Sequence, residues 1–235
     1  MYNNGTGTSN ITQAAKNTAV GSKSLYANTT GYDNTSIGYN TSISNTTGTR
    51  NTSIGSSAFK DNTSGNYNTA IGTWALANNT TAGNNTAIGY SSLVYNTTGS
   101  VNTAMGVQSG RYNSTGNFNV SLGGSAMEYN TIGSNNTVIG KSAGQGSFGN
   151  GTFNGCVLIG YESGKNNTSD NKLFIDNSLT ATPLIGGDFD ANRVDINGTI
   201  KITGGSAAGG KVLTTDADGL ATWETPTVYA SAINE

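Results

Sequence analysis

Glycines and aliphatic side chains recur along most of this chain at one fixed spacing. A glycine stands at every seventeenth position from Gly21 to Gly140, and a further copy, Gly160, follows after 20 residues. The residue before each glycine is aliphatic, which gives the row Val20, Ile37, Ile54, Ile71, Ile88, Met105, Leu122, Ile139 and Ile159. Because a disordered chain does not hold such a register, the period predicts a solenoid of stacked coils in which these side chains form a structural ladder.

Polar residues keep the same register and outline one coil. Asparagine stands four residues before the glycine in every copy but the last, where Cys156 replaces it, and it usually returns seven residues after the glycine. The side chain three residues after the glycine is always small. The consensus N-T-A-I-G-x-x-A-L-x-x-N-T-T-G-x-x predicts a short strand ending at the glycine, a second short strand at A-L-x-x, and turns at the glycine and at N-T-T-G. The predicted fold class is all-β, a parallel β-solenoid or β-roll of 17-residue coils, stacked ~4.8 Å apart.

Stacked coils place identical asparagines one above another, so their amides can hydrogen-bond along the axis. Many of these asparagines also stand in N-x-S/T, the acceptor pattern for N-glycosylation, but repeats of N-T and N-S produce that pattern by accident. The ladder is therefore the favoured interpretation. Turn asparagines such as Asn79 are expected to tolerate alanine far better than the ladder residue Ile71 tolerates aspartate, which would become a buried charge.

One aliphatic ladder and a half-apolar second strand make a thin core. The apolar surface that such a core buries is too small to balance the conformational entropy that one chain loses on folding. The small residue three positions after the glycine indicates a close contact, either between chains or by tight packing within one chain. We prefer the contact between chains and predict a homotrimer whose members cover one another's apolar faces.

Composition limits the chemistry that the chain can perform. Asn, Thr, Ser and Gly make up 127 of the 235 residues, and there is no histidine. The lack of histidine excludes a Ser–His–Asp triad, and the single Cys156 permits neither an internal disulfide nor a cysteine zinc site. The net charge of −2 gives no electrostatic footprint for nucleic acid. No apolar run approaches the ~20 residues of a membrane span, and no signal-peptide pattern opens the chain. No cofactor, metal, nucleic acid or membrane insertion is expected.

The repeat, over about residues 16–165, resembles the N-S-V-A-I-G-x-x-S repeats of trimeric autotransporter adhesin heads. That resemblance implies a left-handed parallel β-roll in a homotrimer. The coil here is longer by an x-N-T-T-G turn, and the longer form is more similar to fibre proteins of phages and phage-like particles. Segments 171–202 and 210–226 resemble stretches that commonly follow such repeats in tail-fibre proteins.

The repeats end near residue 170, after which the acidic and aliphatic content rises. The chain is divided into an N-terminal segment (1–15), the β-solenoid (16–170) and a small β-rich C-terminal region (171–235). In the last region strands are predicted at 172–176, 182–186, 193–196 and 199–203, followed by a hairpin of 212–215 with 220–224 around Asp218–Gly219.

The acidic residues offer no pair suited to catalysis. Glycosidase chemistry needs two carboxylates flanking one bond. The acids of the repeat body stand at unrelated positions of the coil, at Asp33, Asp61 and Glu128. Three acids of the C-terminal region could converge across a trimer but are expected to be solvated loop residues, namely Asp188, Asp190 and Asp195. We predict a non-enzymatic protein with no catalytic or metal-binding residues.

Aromatic side chains are the remaining candidates for binding. Trp74 and Tyr90 follow the repeat glycine by one or two residues, where side chains vary, and Trp223 and Tyr229 lie near the chain end. Such rings can stack on sugars, or they can pack on a neighbouring coil or chain.

These features predict a structural fibre protein: the trimeric tail fibre of a phage or phage-like particle, part of the virion and extracellular. Its expected partners are a glycan or protein receptor on the host surface and other tail or fibre structural proteins. The alternative is a bacterial surface adhesin, and an enzymatic tailspike is disfavoured by the missing acid pairs. Residues 171–235 are expected to supply either the receptor contact or the junction to another fibre protein.

Overall fold

A computed structural model of the chain describes residues 16–147 and 152–199 and the backbone of two further strands, Val212–Thr215 and Ala221–Glu224. The described residues form strands and turns without a helix. The strands are β1 (Thr18–Val20), β2 (Thr35–Ile37), β3 (Thr52–Ile54), β4 (Thr69–Ile71), β5 (Thr86–Ile88), β6 (Thr103–Met105), β7 (Val120–Leu122), β8 (Thr137–Ile139), β9 (Val157–Ile159), β10 (Lys172–Ile175), β11 (Ile185–Asp188), β12 (Arg193–Ile196), β13 (Val212–Thr215) and β14 (Ala221–Glu224).

Strands β1 to β10 pair in parallel, each with the next, and build one sheet along the molecule. The pairing joins equivalent residues of adjacent coils, so that Thr69 lies opposite Thr86 and Ile71 opposite Ile88. The predicted parallel β-solenoid with a 17-residue coil is therefore confirmed. Strands β11 and β12 then add in antiparallel fashion and end the 12-stranded sheet.

The C-terminal strands follow the prediction in part. The strand expected at 182–186 is found at Ile185–Asp188, because Pro183 lacks the N–H that a sheet interior requires. β13 and β14 pair as the predicted hairpin. The strand expected at 199–203 and the turn at Asp218–Gly219 lie outside the described residues. The chain divides into two units, residues 1–197 and 198–235.

Each coil contains one strand, and the prediction of a second at A-L-x-x was wrong. The residues two and four positions after the repeat glycine adopt left-handed backbone conformations, as at Trp74 (φ 61°) and Leu76 (φ 52°). Alternating left-handed residues cannot form a β-strand. The segment still hydrogen-bonds between coils, with the Leu76 N–H donating to the Ser92 carbonyl at 2.9 Å.

The alternation along each strand turns the aliphatic ladder outward. In β4, Ala70 is fully buried, whereas Thr69 and Ile71 are half-buried on the other face. The repeated aliphatic residues therefore do not line the core of their own chain. Val20, Ile37, Ile54, Met105 and Ile139 are between 36% and 56% exposed. Asparagine and a small residue take the inner face instead, because the coil interior is narrow and its walls are hydrogen-bonded through asparagine.

The core consists of small residues facing large ones across this narrow interior. Leu76, Phe59 and Met127, each four residues after a repeat glycine, are buried, and Phe153 joins the core of the enlarged ninth coil. The small residues three positions after the glycine are also buried inside the chain, as Ser24, Thr41, Ala58, Ala75, Ser92, Ser109, Ala126, Ala143 and Ser163. The preferred explanation of these small residues as a contact between chains was wrong, and tight packing within one chain explains them.

Two buried rows of asparagine hold successive coils together. In the first, Nδ2 of Asn62 donates to Oδ1 of Asn45 at 2.7 Å, which confirms the predicted side-chain ladder. In the second, the backbone N–H of Asn68 donates to Oδ1 of Asn51 at 2.9 Å. The turn glycine Gly48 is required for space rather than for a left-handed backbone, since a Cβ there would lie 2.3 Å from Oδ1 of Asn45.

Candidate binding surfaces

The outward aliphatic row, defined as Val20, Ile37, Ile54, Ile71, Ile88, Met105, Leu122, Ile139 and Ile159, forms a continuous apolar stripe along the sheet. The parallel register places each side chain directly over the next. At ~4.8 Å per strand the row extends over roughly 40 Å. Soluble proteins seldom expose a long contiguous apolar surface unless it contacts a partner.

The four predicted aromatic residues do not form one site. Trp74 is 50% exposed and Tyr90 is 49% exposed, at different positions of successive coils. Trp74 lines a surface groove that also contains Tyr95, and Tyr90 is not part of its lining. Trp223 belongs to β14, of which only the backbone is described, and Tyr229 lies outside the described residues.

A stack of tyrosines was missed at the sequence level. The rings of Tyr95 and Tyr112 stack with centroids 4.9 Å apart, and those of Tyr112 and Tyr129 with centroids 5.1 Å apart. The guanidinium of Arg111 lies 5.0 Å from the centre of the Tyr112 ring. The sequence does contain a pattern that predicts this stack. All three tyrosines stand six residues after a repeat glycine and are spaced by the period of the coil.

A second aromatic cluster surrounds Arg50, on another row of the coil. Its guanidinium lies 5.5 Å from the centre of the Tyr32 ring and 5.3 Å from that of Tyr67, and it donates a hydrogen bond to the Tyr67 hydroxyl. These contacts raise the pKa of Arg50. The cation is thus held by Tyr32 and Tyr67, which lie one coil away on either side. These contacts link three adjacent coils.

Three carboxylates of the repeat body, Asp33, Asp61 and Glu128, are each engaged by a basic side chain. Arg50 lies 3.7 Å from Asp33 and Lys60 lies 3.4 Å from Asp61. Glu128, almost fully buried, lies 3.6 Å from Arg111 and accepts a hydrogen bond from Gln145. The structure brings none of the three together.

In the C-terminal part of the sheet, Asp188 and Asp195 line one cavity of about 370 Å³ together with Lys172 and Arg193. Lys172 lies 2.6 Å from Asp188 and holds the pKa of that carboxyl below its usual value. Arg193 lies 3.0 Å from Asp195. Asp190 instead accepts from Asn171. Each acid of the cavity is thus paired with a cation. Among the described residues no group of three acidic or thiol side chains is placed to hold a metal ion.

Cys156 is fully buried in the row otherwise occupied by asparagine. Its backbone N–H donates to Oδ1 of Asn136 at 2.9 Å, as a ladder asparagine would, and its thiol lies 3.3 Å from the Ser169 carbonyl. Burial raises the pKa of the thiol, so the sulfur is kept protonated at neutral pH.

Comparison with known proteins identifies no relative of this chain. No family model matches it, and neither a curated protein nor a solved structure is significantly similar. The part of the chain that the structure describes also contains no helix long and apolar enough to cross a membrane.

Proposed function

We propose that the chain is a structural, non-enzymatic fibre protein, a homotrimeric tail fibre of a phage or phage-like particle that mediates attachment to a host surface. The observation that carries the proposal is the outward aliphatic row, an apolar stripe on the open face of a sheet. A stripe that runs along a whole solenoid sheet is covered along its length by parallel copies of the same sheet. Closed cyclic symmetry satisfies this requirement without leaving an open end.

The repetitive architecture supports a spacer or display role. Coils that contact only their neighbours can be multiplied to any length, and they present nearly the same polar surface at each level. The paired carboxylates support a protein without hydrolytic chemistry. The resemblance of the repeats to tail-fibre and adhesin-head sequences favours attachment as the purpose of such a rod.

Light scattering on the purified full-length chain tests the trimer. We expect about three times the chain mass of 23.9 kDa. Ile71→Asp places a charge in the middle of the outward aliphatic row, where it would be desolvated on assembly, so this variant should be monomeric yet retain its β-sheet spectrum. Thr81→Asp, on an exposed turn of the same coil, is the matched control and should remain trimeric.

A folded monomer for the unmodified chain at micromolar concentration would refute the trimer. The genes beside the coding sequence test whether the protein belongs to a phage-like particle or to a bacterial cell surface. Capsid and baseplate genes are expected for a tail fibre, whereas secretion genes would identify the alternative, a bacterial surface adhesin.

A further inference from the structure

A groove opens on the outer surface of the repeat body, across three successive coils. Its volume is about 350 Å³, within the lower range of small-ligand sites. Its walls combine aromatic faces with hydroxyl, amide and ammonium groups, from Ser57, Lys60, Trp74, Ala77, Asn78, Val94 and Tyr95.

The groove exists because of one small side chain. Ala77 stands five residues after its repeat glycine, and the other coils carry a larger residue at that position, namely Tyr26, Ile43, Lys60, Val94, Arg111, Glu128, Gln145 and Lys165. The coil of Ala77 therefore forms a depression between the coils above and below it. Every other coil carries a larger side chain at this position.

Trp74 differs in size and polarity from the residues at the equivalent position of the other coils, two residues after the repeat glycine. It has φ 61° and is 50% exposed. At the same position the other coils carry polar side chains, Lys23, Asn40, Ser57, Ser91, Gln108, Ser125, Ser142 and Glu162. A bulky residue is disfavoured in the left-handed region, and an exposed indole gains little from packing. A residue that departs from its surroundings in both respects indicates a functional role.

Tyr95 supplies a second aromatic wall that is held in place from behind. It is 41% exposed, and its ring stacks on Tyr112, which in turn stacks on Tyr129. Rings fixed in this way lose little conformational entropy when a ligand binds. The tyrosine stack thus preorganises one side of the groove.

The charge in the groove is balanced. Nζ of Lys60 lies 3.4 Å from the Asp61 carboxylate, so the site has no surplus cation for a phosphate or another strong anion. Apolar faces beside neutral polar groups match a ligand that is itself amphipathic and uncharged. A hexopyranose has this character, with C–H bonds that pack on the negative face of an aromatic ring and hydroxyls that hydrogen-bond around its rim.

We propose that this groove binds a neutral hexopyranose unit of a cell-surface polysaccharide, with the sugar ring stacked on the indole of Trp74. The Asn78 amide and the Lys60 ammonium are within the same lining and bond its hydroxyls, and Tyr95 closes the far side. This inference rests on the proposed function, because a sugar on a cell surface is the expected ligand only if the protein attaches to host cells. Single sites of this size bind weakly, and a trimer that presents several copies to one polysaccharide gains by avidity.

Tryptophan fluorescence of the full-length chain provides the test. Trp223→Phe leaves Trp74 as the single tryptophan of the chain. The probes are the linear tetrasaccharides of glucose, mannose, galactose and N-acetylglucosamine. We expect a saturable change in emission with at least one of them.

Four variants, one of them a control outside the groove, assign the change to the groove. Their affinity is measured by calorimetry, so that loss of the fluorophore does not matter. Trp74→Ala should weaken binding by about tenfold or more, whereas Trp74→Tyr should retain part of it. Ala77→Ile, which restores the bulk found at Ile43, should fill the groove and abolish binding. Tyr90→Ala, at an equally exposed ring outside the groove, should bind as the parent does.

Saturable binding that is weakened about tenfold or more in Trp74→Ala and abolished in Ala77→Ile supports the site. Absence of a saturable change with all four sugars, or unchanged affinity in either variant, overturns it. The proposed function is judged separately by the mass of the assembly. Sugar binding by a monomer would refute the proposed trimeric fibre and support the sugar site in the groove. A trimer that binds none of the sugars would refute the sugar site and leave the trimeric fibre intact.

Discussion

Buried asparagine stabilises this chain in place of a wide hydrophobic core. Asn79 is fully buried, donates to Oδ1 of Asn62 at 3.1 Å and to the Ala82 carbonyl at 3.0 Å, and accepts from Asn96 at 3.0 Å. The expectation that such a turn asparagine is replaceable at little cost came from its turn-like sequence. The side chain instead connects three coils, so that each amide is needed by its neighbours.

We therefore expect Asn79→Ala to destabilise the fold. Removal of the amide deletes three buried hydrogen bonds at once, to Asn62, to the Ala82 carbonyl and from Asn96. Other donors remain, since Oδ1 of Asn62 keeps the Gly65 N–H and the Ala82 carbonyl keeps Nδ2 of Asn68. We therefore expect a cost of about 1–3 kcal/mol. Thr81→Ala, at an exposed position of the same turn, should change stability by less than about 0.5 kcal/mol. Thermal unfolding followed by circular dichroism compares the two, and equal melting temperatures would contradict the buried ladder.

Cys156 offers a second prediction at the scale of one residue. Its thiol is buried and its pKa is raised by that burial, so the reactive thiolate is scarce at neutral pH. Iodoacetamide should modify the native chain far more slowly than the chain unfolded in denaturant. Cys156→Ser should preserve both fold and binding, because a hydroxyl can still donate to the Ser169 carbonyl. Rapid alkylation of the native protein, or loss of binding in the variant, would contradict a purely structural role.

At the scale of the coil, the corner glycine explains why the period is so regular. Gly72 has φ 128°, and a Cβ there would lie 2.6 Å from the carbonyl oxygen of Gly89 in the next coil. The same approach recurs at each corner, so that each coil fits closely against the next. A side chain at one corner would both strain the backbone and separate two coils.

Gly72→Ala should consequently lower stability by more than the ~1–3 kcal/mol of a strained backbone alone. Gly124 provides the matched control, since a Cβ there would meet only the Val107 carbonyl oxygen at 3.9 Å. Gly124→Ala should be neutral, or stabilising by about 0.4–1 kcal/mol, because it restricts the unfolded chain. Chemical denaturation of both variants gives the comparison, and a Gly72→Ala variant as stable as the parent would show that the corner can open.

The sequence was sufficient to predict the coil, its parallel register and the asparagine ladder, because each depends on residues that repeat with one period. It misjudged the A-L-x-x segment, since alternating left-handed residues such as Trp74 and Leu76 give no compositional signal when they are not glycine. It also misjudged the direction of the ladder, because alternation along a strand separates two faces without identifying the inner one. The groove beside Ala77 depends on a single departure from the repeat and was visible only in three dimensions.

At the scale of the whole molecule, the solenoid sheet does not stop with the repeats. β10 pairs with β9 in parallel register, and β11 and β12 continue the sheet to residue 196. A chain cut at residue 170 would expose β9 as an open edge, which invites aggregation. Residues 1–197 form a unit of their own, and residue 197 is therefore the place at which to separate body from terminus.

We expect a 1–197 truncation to retain the trimer mass and the affinity for sugar, since the outward aliphatic row and the groove at Trp74 both belong to that unit. The same truncation should lose the capture of other fibre or tail proteins in a pull-down from particle lysates, if residues 198–235 provide the junction. Adsorption of the two forms to candidate host cells completes the comparison. Equal capture of structural proteins by both forms would place the junction within the repeats. Loss of adsorption with sugar binding intact would show that the terminal unit supplies a receptor contact of its own, because the groove alone would then be too weak to hold the fibre on the cell.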